Sequence, residues 1–464
     1  MTDWCPNLTA SDAPRYIAIA DCIESDLNTG RLSAGDRLPA QRQLARQLGL
    51  DYTTVARGYA EANRRGIISS QVGSGTFVTK PEQHTESLQL ESDPRRICFP
   101  DHSMNLPPEP DDLALICQMQ VGLAALSADL VPLLRYQTFE ASEPDIQAAC
   151  SWLDDTGLIP KPEQIVIAPG AQAALSAIVS LLTERGDTIL CETITYPGIR
   201  SICAQQDVTL EGLLTDDNGI DPIAFEIACK RSAPKALYLN PTLSNPTTRT
   251  IPEQRRLELV AIAQRYGVAI LEDDAYGRLS SKTVRPFAAI APDICWHIAS
   301  LSKTIGAGLR LAYVIAPRKK SAWQLSRSLR TTNVMASPLT VALATRWIED
   351  GTAQAMLTFI RSESCARQDI ARKYLAGQKM TADPDGFHLW LELGKGWSRS
   401  AFVSQMRSHA LGIVESDAFT VDGQAPEAVR ICLGGPLSRD DLANALETIT
   451  HTLDESPERV SAYF

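Results

Sequence analysis

Val268-Ala269-Ile270-Leu271-Glu272-Asp273-Asp274-Ala275-Tyr276 runs from an apolar stretch into two carboxylates and a phenol. The apolar start predicts a short buried strand over 268–272, and the acidic end falls where such a strand would leave the core. Five further apolar runs alternate with helical patterns, and they lie at 164–168, 188–191, 236–239, 297–300 and 312–315. This alternation predicts an α/β domain around a mostly parallel sheet, in which ligands bind beyond the carboxyl ends of the strands.

Chemically active groups follow several of these predicted strands. They comprise a glycine turn before a helix, an amide, carboxylates, a phenol, a lysine and an arginine, at Gly170, Ala171, Gln172, Asn245, Asp273, Asp274, Tyr276, Ser300, Lys303 and Arg310. A pyridoxal phosphate site needs such groups, because a lysine forms the Schiff base, a carboxylate keeps the pyridine nitrogen protonated, and arginine, hydroxyls and helix N–H groups hold the phosphate. Each residue alone has an ordinary alternative: Lys303 could be a solvated lysine and Asp274 a helix cap. Their conjunction in this order predicts a cofactor site.

The pattern resembles that of the fold type I, class I aminotransferases over about residues 105–450. The resemblance implies that Lys303, Asp273 and Tyr276 form the catalytic set, with Lys303 as the aldimine lysine. Asp273 is preferred over Asp274 as the partner of the pyridine nitrogen, because the family's aspartate stands three residues before its tyrosine. The cofactor contacts so implied are Lys303, Asp273, Tyr276 and Asn245 at the ring, Tyr196 stacked on it, and Gly170, Ala171, Gln172, Ser300 and Arg310 at the phosphate.

The same resemblance also implies one residue that contacts a substrate or effector and one that contacts a second subunit. Arg430, in Val429-Arg430-Ile431-Cys432, matches the arginine that grips a carboxylate bidentately, and its alternative is a surface arginine in a salt bridge. Tyr136 resembles the tyrosine that reaches the phosphate of the neighbouring subunit, although the glycine and arginine that follow it in the family are missing here. The resemblance therefore implies a homodimer.

The first 80 residues differ in charge from the remainder. The 464-residue chain carries a net charge of −11, yet residues 1–80 hold nine basic and eight acidic side chains, which leaves +1 there and −12 after it. Apolar spacing predicts helices at 16–27, 41–48 and about 53–65, and Gly73, Ser74 and Gly75 would turn a following hairpin. Two short helices joined by a tight turn predict a helix-turn-helix, whose second helix enters the major groove.

Residues 14–79 resemble the winged helix-turn-helix of GntR-type bacterial regulators, through Gly35-Asp36-Arg37-Leu38-Pro39-Ala40, Thr53-Thr54-Val55 and the glycines of 73–78. The resemblance implies DNA contacts by an arginine, the start of the recognition helix and the wing, and the predicted set is Arg42, Asp51, Tyr52, Thr53, Thr54, Arg57, Gly73, Ser74 and Gly75. Tyr52 and Ala56 stand where the family often has arginine, so we expect weaker attraction to phosphate. The alternative is that these helices and the hairpin form a dimerising cap.

The order of the two modules resembles the MocR subgroup of GntR-type regulators. Residues 1–80 would form the DNA-binding domain, 81–104 a linker, and 105–464 the aminotransferase-like effector domain. The resemblance implies a transcription regulator whose binding to a double-stranded DNA operator responds to an amino compound, or to pyridoxal phosphate itself, through aldimine exchange at Lys303. A working aminotransferase is the alternative, and a sensor of pyridoxal phosphate level alone is a third possibility.

Composition gives further expectations about the cellular compartment, metal binding and membrane association. The 11 cysteines are scattered without a C-x-x-C pair, and the six histidines form no metal-ligand pattern, so we expect free thiols in a reducing cytoplasm and no metal. The N-terminus lacks the basic region and apolar run of a signal peptide. The uncharged stretch 165–183 is long enough for a membrane helix, but Pro169 and Gly170 interrupt it, so we expect a strand, a loop and a helix and no membrane partner.

Overall fold

The computed structural model describes residues 4–6, 8, 14–33, 35–65, 67–71, 75–79, 104–138, 141–154, 157–394, 396–407 and 411–454. The chain divides into two compact units, Met1–Ile97 and Cys98–Phe464. Residues 81–103 of the predicted linker lie outside the described residues, as do Gly73 and Ser74 of the predicted DNA-binding set.

The described part of the first unit holds three helices and a hairpin: α1 (Arg15–Asn28), α2 (Gln41–Leu48), α3 (Tyr52–Arg64), β1 (Ile68–Gln71) and β2 (Gly75–Val78). The prediction of α2 is confirmed, while α3 begins and ends one residue earlier than predicted. Gly49 ends α2 with φ +64°, a left-handed conformation that glycine adopts readily. Leu44, Val55 and Tyr59 meet in the core of this unit, where the Tyr59 hydroxyl donates to the Pro39 carbonyl at 2.8 Å.

The second unit contains two larger sheets and many helices. Its strands are β3 (Ile165–Ala168), β4 (Thr188–Glu192), β5 (Thr209–Leu213), β6 (Thr215–Asp216), β7 (Gly219–Ile220), β8 (Ala236–Leu239), β9 (Ala269–Asp273), β10 (Cys295–Ser300), β11 (Ala312–Ile315), β12 (Met380–Ala382), β13 (His388–Glu392), β14 (Gly412–Glu415) and β15 (Ala428–Cys432). Its helices are α4 (Leu113–Ala125), α5 (Leu130–Leu133), α6 (Glu143–Asp154), α7 (Ala171–Leu182), α8 (Pro197–Gln205), α9 (Pro222–Ser232), α10 (Glu253–Tyr266), α11 (Phe287–Ile290), α12 (Lys319–Asn333), α13 (Pro338–Glu349), α14 (Thr352–Tyr374), α15 (Arg399–Met406) and α16 (Arg439–Asp454).

The large sheet has seven strands in the order β3-β11-β10-β9-β8-β4-β5. Its neighbours are parallel except at β11, which is antiparallel to both β10 and β3. The prediction of a mostly parallel sheet in an α/β unit is confirmed. The carboxyl ends of β3, β8, β9 and β10 consequently lie at one edge. Strand β9 runs over 269–273 instead of the predicted 268–272, which makes Asp273 its last residue.

Apolar side chains cover both faces of this sheet. Leu271 of β9 belongs to the core formed with α7 and α12, whereas its neighbour Ile270 belongs to the core formed with α10 and α14. This alternation is the period of two that a strand imposes on its side chains. The stretch 165–183 forms β3 and α7, as predicted, and both are built into these cores.

The smaller sheet has the order β12-β13-β15-β14 and is antiparallel throughout. It packs with α14, α15 and α16 around Leu389, Ile431 and Leu446. Arg430 lies in β15, opposite Trp390 of β13 and Val414 of β14. Among the described residues, the helical stretch Leu113–Leu133 is long and apolar enough to cross a membrane by length and composition, and few of its residues are buried.

Candidate functional site

Lys303 lies just beyond β10, at the carboxyl edge of the large sheet. Its Nζ donates a hydrogen bond to the backbone carbonyl of Asn105 at 2.5 Å, and the side-chain amide of Asn105 donates to the Tyr276 hydroxyl at 3.0 Å. Burial lowers the pKa of Lys303 to about 8, and the nearby positive charge of Arg430 acts in the same direction. A large fraction of this amine is therefore neutral near pH 8, as a nucleophilic lysine requires.

Covalent capture of pyridoxal phosphate by the cofactor-free protein should accelerate as the pH rises through about 8. Only the neutral amine attacks an aldehyde, so the rate should follow one titration centred near this pKa and level off above it. Stopped-flow absorbance at constant ionic strength measures the rate. A rate that instead keeps rising to about pH 10 would match the ordinary lysine pKa of about 10.4 and contradict the expectation.

Asp273, the last residue of β9, is buried, and only one of its two carboxylate oxygens has a hydrogen-bond partner among the described residues. Its Oδ2 accepts a hydrogen bond from the Tyr238 hydroxyl at 2.8 Å, whereas its Oδ1 is buried without a partner in the part of the chain that the structure describes. Burial raises the pKa of Asp273 to about 6. A buried carboxylate oxygen without a donor is costly, and a protonated pyridine nitrogen is a donor of the charge that it needs. Asp273 thus fits its predicted role.

Asp274 faces a different environment from Asp273. It lines a small cavity together with Trp152, Arg278, His297 and Thr304. The Arg278 guanidinium lies 3.8 Å from the centroid of the Trp152 ring in this cavity wall. The Asp274 Oδ1 is also buried without a hydrogen-bond partner among the described residues, so the choice of Asp273 over Asp274 stays a prediction.

Arg430 and Asn245 lie together beside the Tyr276 and His388 rings. The Arg430 Nη1 donates to the Asn245 Oδ1 at 3.2 Å, and the centroids of the Tyr276 and His388 rings are 5.6 Å apart. Arg430 is only 4% exposed, so its alternative as a surface salt-bridge arginine is wrong. Burial lowers the pKa of His388 to about 3, which leaves a neutral imidazole whose Nε2 lies 3.1 Å from the Ser244 carbonyl oxygen. Arg430 is therefore a buried cation in a largely uncharged cluster, where it could bind a carboxylate.

The turn before α7 holds an arginine against the backbone. Gly170 has φ +96°, and a Cβ at this position would lie 3.0 Å from the Arg310 Nη2. Glycine therefore allows the guanidinium to approach the first turn of the 12-residue helix α7, which starts at Ala171. A helix N-terminus and an adjacent arginine together favour a bound phosphate.

The remaining residues predicted to bind the cofactor occupy two kinds of position. Tyr196 donates its hydroxyl to the Gln172 Oε1 at 3.3 Å, and Ser300, at the end of β10, accepts from the Ser302 N–H at 3.2 Å. Tyr136 is 81% exposed. The roles of all these residues stay predictions.

Helix α3 is the predicted recognition helix, and its first residues are exposed to solvent. Asp51 caps it by accepting hydrogen bonds from the Thr53 N–H, at 2.7 Å, and from the Thr53 hydroxyl. The Arg42 guanidinium lies 5.8 Å from the Tyr52 ring centroid, and Tyr52 is 46% exposed. Asp51 thus has a capping role that its assignment to DNA did not include, while Arg42 and Tyr52 form an exposed pair.

Thr54, Arg57 and Gly75 complete the described part of the predicted DNA-binding set. Thr54 is half-buried, whereas Arg57 is exposed and its guanidinium lies 4.3 Å from the centroid of the Tyr16 ring. Gly75 opens β2 with φ +118°, which favours glycine beside the turn of the hairpin. Contact of these residues with DNA stays a prediction.

A buried charge cluster lies behind Asp273. Glu272, on the opposite face of β9, accepts from the Phe287 N–H at 2.8 Å and lies 2.8 Å from the His297 Nδ1 and 3.5 Å from the Arg256 Nη1. Burial favours the neutral forms, yet the mutual attraction of the two groups lowers the pKa of Glu272 and raises that of His297. This cluster anchors the end of β9, and with it the Asp273 carboxylate.

Three site residues escape the sequence patterns. Asn105 belongs to none of the sequence motifs described above, yet it contacts both Lys303 and Tyr276. Tyr238 appears in sequence as one aromatic residue of an apolar strand, although its hydroxyl reaches Asp273. His388 starts β13, which is distant in sequence from the other site residues, and no sequence pattern around it indicates a role in the site. Tyr238 alone had a usable signal, since a phenol near the carboxyl end of a strand can reach the site.

Two family descriptions match this chain, and one match falls in each of the two units. Residues 109–449 match the family described as Aminotransferase class I and II, and residues 15–78 match that described as Bacterial regulatory proteins, gntR family. In the part of the chain that the structure describes, no group of three or more histidine, cysteine, aspartate or glutamate side chains could hold a metal ion.

Two relatives of this chain carry regulator names. The uncharacterized HTH-type transcriptional regulator YdeF of Bacillus subtilis is 28% identical over 458 residues, which cover 97% of each chain. The HTH-type pyridoxine biosynthesis transcriptional regulator PdxR of Corynebacterium glutamicum is 27% identical over 290 residues, or 62% of this chain and 63% of that one.

The solved structure of LysN, an alpha-aminoadipate aminotransferase from Thermus thermophilus complexed with N-(5'-phosphopyridoxyl)-L-leucine, has the same fold as the larger unit. It superposes with a TM-score of 0.69 at 21% identity, covering 78% of this chain and 93% of that one. The chain belongs to the aminotransferase class I and II family and, with a GntR-type helix-turn-helix in front, has the architecture of the MocR subgroup of GntR-type regulators.

Proposed function

We propose that this chain regulates transcription by binding DNA through its first unit, in response to an amino compound or to pyridoxal phosphate bound at Lys303. The observation that carries the proposal is the conjunction of an exposed recognition helix with a buried lysine, carboxylate and arginine site in one chain. Full-length similarity to a protein named as an HTH-type regulator supports it. We assign residues 1–80 to DNA binding, 81–104 to a linker and 105–464 to the effector domain, and we place the protein in the cytoplasm.

The family and the site both support pyridoxal phosphate as the cofactor. When bound, this group supplies an aldehyde for an amine and a ring that accepts electrons. Lys303 would hold it through Nζ, and Asp273 would hold a proton between its Oδ1 and the ring nitrogen. Arg310 and the first turn of α7 would bind the phosphate, with Gly170, Ala171, Gln172 and Ser300 around it. Tyr196 would stack on the ring.

The proposed effector site lies on the side of Arg430. A buried guanidinium binds a carboxylate strongly, because two parallel hydrogen bonds form away from water. Asn245 accepts a hydrogen bond from Arg430 through its Oδ1, so its amide N–H group would be free to donate to the ring hydroxyl of the cofactor. Tyr276 would donate a second hydrogen bond to the same hydroxyl. An effector with both an amine and a carboxylate could therefore reach Lys303 and Arg430 together.

A catalytically active aminotransferase is the second candidate. The observation in its favour is Lys303, because an amine with a pKa of about 8 could move a proton as well as bind the cofactor. Sustained turnover of an amino acid and a keto acid would establish this function, whereas a single slow turnover would fit a regulator. The helix-turn-helix favours regulation, since a metabolic enzyme has no need of it.

A homodimer is the proposed assembly. Large apolar side chains are exposed along and just after Leu113–Leu133, at Leu113, Val121, Leu123, Val131 and Leu134. Tyr136, which would serve the phosphate of the second subunit, follows directly on this segment. Several large exposed apolar side chains within one segment favour burial against another protein chain. Two helix-turn-helix units in one dimer would also occupy paired half-sites, which offsets weak attraction of a single unit to phosphate.

Replacing Arg42 by alanine should weaken DNA binding. If Arg42 reads a guanine, the loss should be roughly 1–3 kcal/mol; if it meets only phosphate, the slope of log K against log salt should fall by about one. Fluorescence anisotropy with labelled duplex over a salt series measures both quantities. Arg31→Ala is the matched control, because Arg31 is an exposed arginine of the same unit that lies 3.7 Å from Asp26. Equal affinities of the two variants would exclude Arg42 from the interface.

The proposed response to an effector is tested at fixed salt. DNA affinity is measured for the cofactor-free protein, for the protein with pyridoxal phosphate, and after addition of a panel of amino acids, D-isomers and amines. An effector shifts the equilibrium only through different affinities for the two arrangements, so at least one addition should change DNA affinity. Constant affinity under every condition would overturn the proposed regulation.

A further inference from the structure

Helix α12 lies in a segment of the second unit that is rich in cations. Between Asp293 and Glu349 the sequence holds eight basic residues and no acidic residue, although residues 81–464 carry a net charge of −12. Five of these basic residues fall between Arg318 and Asn333, on and next to α12. The acidity of this unit is therefore unevenly distributed, and a positive region interrupts it.

The helix separates its apolar and cationic faces. Ala322, Leu325 and Leu329 are buried in the core that α12 shares with α7. On the opposite side of α12, the helix and its N-cap residue Arg318 carry five exposed basic residues, at Arg318, Lys319, Lys320, Arg327 and Arg330. We name the set Arg318, Lys319, Lys320, Trp323 and Arg327, all of them exposed, the α12 cationic face. Its side chains therefore point away from the core and are accessible to a partner.

This face is organised for an extended anion. Lys319, Trp323 and Arg327 recur every four residues, so they form one line about 12 Å long at 1.5 Å per residue. The Arg327 guanidinium lies 4.7 Å from the Trp323 ring centroid, and Trp323 is 53% exposed. Within the described parts of the chain, the four cations of this face take part in no ion pair. The line spans about three successive phosphates of one DNA strand, at about 3.4 Å each along the axis.

We propose that the α12 cationic face binds the phosphate backbone of double-stranded DNA and so adds contacts to those of the helix-turn-helix unit. The inference rests on the proposed DNA-binding function and assigns it a second surface. Charge complementarity favours this partner, since unpaired cations on an acidic protein attract a polyanion most strongly when they are clustered. Because residues 1–80 carry a net charge of only +1, a second cationic surface would add to their attraction for DNA phosphates.

A basic helix face with an exposed tryptophan is also compatible with an anionic membrane surface. DNA is favoured here because the same chain contains a GntR-type helix-turn-helix over residues 15–78. To distinguish DNA from a membrane surface as the partner, binding to each of them is measured.

The test uses the full-length protein with three cations of this face neutralised together, as Lys319→Gln, Lys320→Gln and Arg327→Gln. The matched control neutralises three exposed cations of α9 and the loop that follows it, as Lys230→Gln, Arg231→Gln and Lys235→Gln, which lie within 4 Å of Glu226, Glu211 and Asp187 respectively. The probe is a random-sequence duplex of about 60 base pairs, roughly six helical turns. Affinity is measured over a salt series, with Arg42→Ala in parallel, and a flotation assay uses vesicles of anionic phospholipid.

We expect the α12 variant to lower the salt slope by about one for each cation that meets a phosphate, and to weaken binding at low salt by about tenfold or more. The control should retain the wild-type slope. An α12 variant that behaves like the control while Arg42→Ala binds weakly would overturn this inference and leave the proposed function standing. Loss of vesicle binding without loss of DNA binding would assign the face to a membrane. Absence of DNA binding by the wild-type protein would overturn both proposals.

Discussion

Lys303→Ala should abolish the covalent adduct that borohydride traps between this protein and pyridoxal phosphate. Lys303 combines a pKa of about 8 with a position at the carboxyl edge of the sheet, beside Asn105 and near the charges of Arg430 and Asp273. Reduction makes the linkage to a lysine permanent, so intact-protein mass spectrometry should show one cofactor added per wild-type chain. The Lys303→Ala protein should show none.

The control for this experiment is Lys379→Ala. Lys379 is an exposed lysine whose Nζ lies 2.5 Å from the Glu392 Oε2, and a lysine held in this way at the surface should not form the adduct. The control protein should trap the cofactor at wild-type stoichiometry. If Lys303→Ala traps it equally well, another lysine holds the cofactor and the site assignment is wrong.

Local sequence patterns predict much of this fold. Helix α2 and strands β8 and β11 have the predicted bounds, because each is a short periodic or apolar run between clear breaks. The ends of the other predicted strands move by one or two residues at most. The chemistry at the strand ends was also predictable, since parallel strands gather their carboxyl ends at one edge whatever the order of the strands.

Pairing between distant segments was not predictable from these patterns. Strand β15 carries Arg430 and pairs with β13, which carries His388, but nothing near either residue specifies the partner. The carbonyl of Asn105 reaches Lys303 across 198 residues of sequence. Asp51 differs, because an aspartate before Thr53 at the start of a helical pattern is a typical local capping signal, although Asp51 was predicted only to contact DNA.

Arg256 is a further residue with no local signal, and its replacement should have the largest effect on stability. It is 1% exposed and donates hydrogen bonds to the carbonyls of Ile251, Pro241 and Arg285 at 3.0–3.3 Å. It also lies 3.5 Å from Glu272. Arg256 thus joins the loop that carries Asn245 to the strand that carries Asp273.

We expect Arg256→Met to destabilise the second unit by about 3–5 kcal/mol, because methionine fills similar space but leaves Glu272 with one less cation and several buried carbonyls without donors. Arg265→Met is the control: Arg265 belongs to the same helix, is 60% exposed, and lies 3.1 Å from Glu226, so its loss should cost less than about 1 kcal/mol. Urea unfolding followed by tryptophan fluorescence, with the transition of the second unit fitted separately, measures both changes.

A functional readout separates the role of Arg256 in the site from general stability. If Arg256 positions the Asn245 loop against β9, Arg256→Met should also release pyridoxal phosphate faster than wild type at urea concentrations where both proteins remain folded. Arg256→Lys restores the charge but not the several donors of the guanidinium, so it should recover only part of the loss. Equal stability of Arg256→Met and Arg265→Met would mean that Glu272 is adequately held by His297 and the backbone N–H groups of α11 alone, and that the loop is anchored elsewhere.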